Sequence, residues 1–102
     1  MKTRIPVATS RPDASEAHVE AFKALAHLTR LQVFFFLVRE DREVAVGEIQ
    51  EAVEISAPTL SHHLAALRRA GLVQCRKEER YCYYSIRRDT ATALVRLLTA
   101  CC

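Results

Sequence analysis

Between Leu60 and Leu67 the apolar positions recur at i, i+4 and i+7. On a helix of about 3.6 residues per turn, Leu64 and Leu67 fall within about 40° of Leu60 and make one core-facing stripe. Pro58, His62, Ala65, Ala66 and Arg69 fall on the opposite side, flanked by Thr59, Ser61 and Arg68. Ser56 is an N-cap residue, Pro58 suits a first turn, and Gly71 stands where a C-terminal cap belongs. Upstream, Ser15 caps a helix whose apolar face is Val19, Phe22, Leu25 and Ala26. His18 stands three residues after that cap, where a capping box has Glu or Gln. A second helix begins near Thr29 with Leu31, Phe34, Phe35 and Val38 on one face. Val33, Phe36 and Leu37 make it apolar nearly all round, which predicts burial. The three consecutive phenylalanines read as core packing rather than as a ligand box.

Beyond a charged connection at residues 39–43, Glu43 to Val46 predicts a short strand. Val46, Ile49 and Val53 then mark a short helix ending near Glu54. After Gly71, residues 72–77 read as a strand, Glu78-Glu79 as a turn and residues 80–87 as the returning strand. Asp89 is a reasonable cap for a last helix running towards Cys102, with Ala91, Leu94, Val95 and Leu98 on one stripe broadened by Leu97. The expected fold is mainly α with a small β-hairpin, in the order of a winged helix-turn-helix. Residues 1–14, with Pro6 and Pro12 and no helical period, read as a mobile N-terminal arm whose Lys2, Arg4 and Arg11 could brush phosphates. Residues 15–102 then form one DNA-binding and dimerisation domain, its first and last helices supplying a two-fold interface.

At 102 residues the chain holds a modest core that dimerisation would help to stabilise. Half of its residues are apolar and its net charge is +3, a globular composition with a mild preference for polyanions. The longest apolar run, Val33 to Val38, is far too short for a membrane span, and the N-terminus has no signal-peptide core. A cytoplasmic protein with reduced thiols and no membrane partner is the expectation.

The outer face of the Ser56–Arg69 helix suits a major groove. No acidic residue occurs from Ser56 to Gln74, the alanines permit close approach, and short polar side chains cluster near the N-terminus. Thr59, Ser61 and His62 are the candidates for the groove itself. Ser56, His63, Arg68 and Arg69 would support them or hold phosphates, and Lys77, Arg80 and Tyr81 would carry the wing. His62 and His63 diverge by about 100° on a helix, and no carboxylate partner, H-E-x-x-H or phosphate-cradling loop accompanies them. No enzyme and no catalytic cofactor is expected.

The run S-A-P-T-L-S-H-H-L-A-A-L-R-R-A-G-L-V, the K-E-E-R-Y-C-Y-Y-S-I hairpin and the upstream A-L-A-H-L-T-R-L resemble the ArsR/SmtB family of bacterial metalloregulatory repressors. The resemblance spans Phe22 to Leu98 and implies a homodimer, joined through the first and last helices, that binds double-stranded operator DNA. It also bears on the ligand. Many arsenic and cadmium sensors of the family carry a C-V-C pair in the helix before recognition, and Ala45-Val46-Gly47 stands at the matching positions. Zinc sensors use Asp and His on the last helix, which here offers Asp89 and no histidine. The similarity is greatest to members that sense trivalent arsenic through a vicinal Cys pair at the end of that helix, after a run like L-V-R-L-L-T-A-C-C.

The four cysteines are Cys75, Cys82, Cys101 and Cys102, with no C-x-x-C among them. Neighbouring side chains within a helix do not meet, but at a frayed end Cys101 and Cys102 can swing together on one soft centre. The alternative is that they are two incidental terminal residues. Inorganic arsenite takes three thiolates and methylarsenite two, so a two-cysteine site favours methylarsenite over arsenite as the inducer. In the wing, a turn at Glu78-Glu79 sets Cys75 opposite Cys82, on the side of Val73 and Tyr84. That pair reads either as small buried hydrophobes or as a disulfide or two-thiol clasp. Two rival functions follow: a redox- or persulfide-sensing repressor of the same fold, and a winged-helix protein-interaction module.

Overall fold

A computed structural model of the chain describes residues 14–100. Cys101, Cys102 and all of the predicted arm except Ala14 lie outside the described residues. The elements run α1 (Glu16–Leu25), α2 (Leu28–Glu40), β1 (Val44–Ala45), α3 (Val46–Val53), α4 (Ala57–Arg69), β2 (Val73–Glu78), β3 (Tyr81–Ile86) and α5 (Arg88–Leu98). Helices and hairpin follow the predicted winged helix-turn-helix order, with α3 and α4 as its two helices. No single helix among the described residues is long and apolar enough to cross a membrane.

Ser15 caps α1, and the imidazole of His18 completes the reciprocal box: Nδ1 accepts the Ser15 backbone N–H at 3.0 Å. His18 is buried to 1% exposure. The face of α1 turned to the core is His18, Ala21 and Ala24, small groups that let the helix lie close to α2 and α4. The expected stripe is therefore displaced to the edge: Val19 and Ala26 are exposed, and Phe22 and Leu25 half-buried. In α2, burial is confined to Val33, Phe34 and Leu37. Phe35, 50% exposed, and Val38 face outward, because α1, α3, α4 and β3 cover one side of the helix and leave the other open.

Helix α4 has both of its predicted ends. Ser56 Oγ accepts the Thr59 backbone N–H, and Pro58 lies in the first turn. At the far end Gly71 takes φ 77°, while its N–H donates to Arg68 and that of Leu72 to Leu67. These two bonds satisfy helix-terminal carbonyls and turn the chain sharply into the wing. Leu60, Leu64 and Leu67 are buried against Val33, Leu37, Val44, Ile49, Leu72 and Val73 in the core. Full burial of one such leucine contributes about 1.5–3 kcal/mol, so the stripe anchors the whole recognition unit.

The sheet has the order β1-β3-β2, with Val44 opposite Tyr84 and Ala45 opposite Tyr83. In the hairpin, Glu78 pairs with Tyr81 around a Glu79-Arg80 turn, one residue later than predicted. Glu79 adopts φ 56°, the left-handed region that a tight turn demands. At the start of α5 the N-cap is Arg87 rather than Asp89. Asp89 sits in the first turn paired with Arg87 at 2.9 Å, and the Arg87 N–H donates to the Leu72 carbonyl. Arg88 further ties α5 to Asp41 at the end of α2.

Candidate nucleic-acid interface and thiol positions

The outer face of α4 presents Thr59, Ser61 and His62 to solvent together with Arg68 and Arg69. Ser56 is exposed but already engaged: its hydroxyl donates to Thr59 Oγ1 at 2.9 Å while serving as the cap. Ser56 thus orients Thr59 and stiffens the first turn. Two predicted positions move inward. Ala66 is buried, and His63 is only 6% exposed, packed between α4 and the start of α2. The position of His63 was set beside the leucine stripe by its helical angle; the arrival of α2 on that flank converts it from a phosphate-side residue into an internal one.

His63 Nδ1 accepts a hydrogen bond from Arg30 Nε at 3.2 Å. Its ring lies 4.7 Å from that of His27, the N-cap of α2, and 6.1 Å from that of His62. Burial first, then the neighbouring His27, Arg30 and His62, holds the His63 pKa below its ordinary value. Arg30 went unassigned in the sequence; its only signal there was its place in the A-L-A-H-L-T-R-L run.

On the wing, Lys77, Arg80 and Tyr81 are all exposed, and neither Lys77 nor Arg80 is ion-paired among the described residues. The register places Lys77 on the side of Val73, Cys75 and Cys82, whereas Tyr81 shares the other side with Arg76 and Tyr83. Arg76 is a structural cation. It pairs with Glu43 at 2.8 Å and Glu78 at 3.0 Å, and stacks 4.8 Å from the Tyr83 ring centroid. The Glu43 carboxyl is lowered by this hydrogen-bonded arginine, as Glu48 is by Arg42 and Asp89 by Arg87. Glu43, Glu78, Glu48 and Asp89 are thus each held by a neighbouring arginine.

Cys75 stands opposite Tyr84, and Cys82 opposite Lys77. The later turn keeps both thiols on one side but sets them diagonally, which removes the directly opposed pair expected from a Glu78-Glu79 turn. Both are free and half-buried. The Tyr84 phenol is pushed up to about 12, by burial first and then by its hydrogen bond to Cys75 and the nearby thiols. Among the described residues no group of three or more His, Cys, Asp or Glu could hold a metal ion.

Comparison with known proteins resolves the family. A family model described as bacterial regulatory protein, arsR family, matches residues 27–74. The transcriptional activator HlyU of Vibrio cholerae is 41% identical over 80 residues, which cover 78% of this chain and 72% of that protein. The chain belongs to the arsR family. It is a transcriptional regulator of the DNA-binding helix-turn-helix class, and not an enzyme. The solved HlyU structure superposes with a TM-score of 0.70 at 40% identity, covering 81% of this chain and 88% of that one; a second, described as reduced HlyU, gives 0.69. A homodimeric winged helix-turn-helix domain from Mycobacterium bovis, a possible ArsR-family regulator, gives 0.69 at 36% identity over 81% of this chain and 78% of its own. Within the family, the arsenic resistance transcriptional regulator ArsR1 of Pseudomonas putida is 40% identical over 65 residues, 64% of this chain and half of that protein's length.

Proposed function

We propose that this arsR-family regulator is a repressor that binds operator DNA as a homodimer and is released when a trivalent arsenical joins Cys101 to Cys102. The observation that carries the DNA half is the acid-free outer face of α4, where exposed Thr59, Ser61 and His62 stand beside Arg68 and Arg69, with Lys77 and Arg80 unpaired on the wing. Arg68, Arg69, Lys77 and Arg80, none of them ion-paired among the described residues, stand beside one polar helix face and suit a phosphate backbone on either side of a groove.

The arsenical half rests on sequence position. Cys101 and Cys102 come three and four positions after Leu98, the last residue of α5, whose Val95 and Leu98 are 59% and 65% exposed and form a face that a second copy would cover. A ligand that orders the end of this helix acts on the dimer geometry and through it on the spacing of the two α4 helices. Release requires the ligand to prefer the weak-binding form, and a coupling of about 1–3 kcal/mol suffices. Two thiolates suit methylarsenite better than arsenite. The test is release of the reduced protein from labelled operator, titrated with the two arsenicals side by side. Release by methylarsenite at much lower concentration supports the two-thiolate site; equal release by arsenite would overturn the selectivity and bring in a third thiol.

A thiol-redox switch is the second reading, favoured by the half-buried Cys75 and Cys82 on one side of the wing and by the reduced state named for one HlyU structure. Release by peroxide or persulfide with no arsenical present would select it.

A further inference from the structure

Behind the DNA-facing side of α4, a polar contact occupies a place where an apolar one would serve packing better. A leucine at position 63 would extend the stripe of Leu60, Leu64 and Leu67 and avoid burying a polar ring. The chain instead buries His63 and meets its Nδ1 with Arg30 Nε from α2. We infer that His63 and Arg30 are positioning residues for DNA recognition: the neutral imidazole, held by the guanidinium, fixes the rotation of α4 and so the direction in which Thr59, Ser61 and His62 face. This inference rests on the reading that the outer face of α4 meets DNA.

The geometry makes the contact dependent on protonation. Nδ1 accepts from Arg30, so its lone pair must be free and the ring proton must sit on Nε2. The charged and titratable groups facing the ring are Arg30 and the cap His27 from α2 and His62 from α4 itself. Arg30 also lines a cleft between α1, α2 and α4 that brings in Glu20, Lys23 and Arg69, and Glu20 there is paired with Lys23 at 3.6 Å. Among the described residues, no carboxylate stands with His27, Arg30 and His62 beside the ring. Proton uptake by His63 would cancel the acceptor, set a cation against Arg30 and loosen α4 from α2.

A non-titrating acceptor at the same atom isolates this effect. Operator affinity of the full-length reduced protein is measured from neutral pH down through the imidazole range, with thermal melting at each pH, for the wild type and for His63→Asn and His63→Leu. Asn Oδ1 stands where Nδ1 does and accepts the same Arg30 N–H without titrating, so His63→Asn should bind at neutral pH and lose the acid-induced weakening, which in the wild type should reach about tenfold. His63→Leu keeps the packing without the acceptor and should bind about tenfold more weakly at neutral pH while melting no lower. A His63→Asn variant that retains the wild-type acid loss, or a His63→Leu variant with undiminished affinity, overturns the inference. A Thr59→Ala, Ser61→Ala double variant with unchanged operator binding would instead remove the DNA face, and the clamp with it.

Discussion

At the scale of single residues, the chain uses a few side chains and one glycine to end helices at defined points. Gly71 is the clearest case. Its φ of 77° lies in the region that L side chains avoid, yet a Cβ there would meet nothing nearer than Thr90 Oγ1 at 4.0 Å. Gly71→Ala should therefore destabilise through the backbone alone, by about 1 kcal/mol, read as a lower denaturant midpoint with an unchanged slope. This position was legible from sequence, as were Ser56 and the Leu60, Leu64, Leu67 stripe, because caps and periodicity are local. His18 and His63 were not. Each sits at the margin of its own helical stripe, and what buries it is the packing of other elements: α2 and α4 against α1 in one case, α2 with Arg30 in the other. A helical angle shows which side a residue faces, not what packs against that side.

At the scale of elements, the wing shows how one turn decides a register. The Glu78-Glu79-Arg80 stretch has no Gly or Asn to mark the left-handed position, and Glu79 takes it, one residue later than expected. Moving the turn centre by one keeps every side chain on its predicted face but shifts each partner by two, so Cys75 meets Tyr84 instead of Cys82. The same register keeps Lys77 and the turn residue Arg80 at the exposed tip while Arg76 is held by Glu43 and Glu78. Lys77→Ala and Arg80→Ala should each reduce the slope of log affinity against log salt by about one and leave melting unchanged. Arg76→Ala, by contrast, removes a tether between β2 and Glu43, the residue before β1, and should leave the salt slope unchanged. Fluorescence anisotropy on labelled operator across a salt series measures all three.

At the scale of the whole molecule, the element least accounted for by its own chain is α5. It is tied down at its start by the Arg87–Leu72 backbone bond and the Arg88–Asp41 pair, and it buries Leu94 alone, leaving Val95 and Leu98 open. A helix so amphipathic and so little covered wants a partner, and a homodimeric relative of the same fold supplies the form of one. Val95→Glu with Leu98→Glu should convert the dimer to a monomer in sedimentation equilibrium and abolish operator binding while α1 to β3 remain folded. The proposed arsenical switch would join these scales: two cysteines that follow α5 in the sequence, the exposed face of that helix, and the two α4 helices of a dimer whose spacing it would set. The most direct test compares the wild type with the Cys101→Ser, Cys102→Ser double variant, both reduced and bound to labelled operator, during titration with methylarsenite. The account predicts equal operator affinity before titration and release of the wild type only. Release of the double variant at the same methylarsenite concentration would contradict it and move the switch to Cys75 and Cys82.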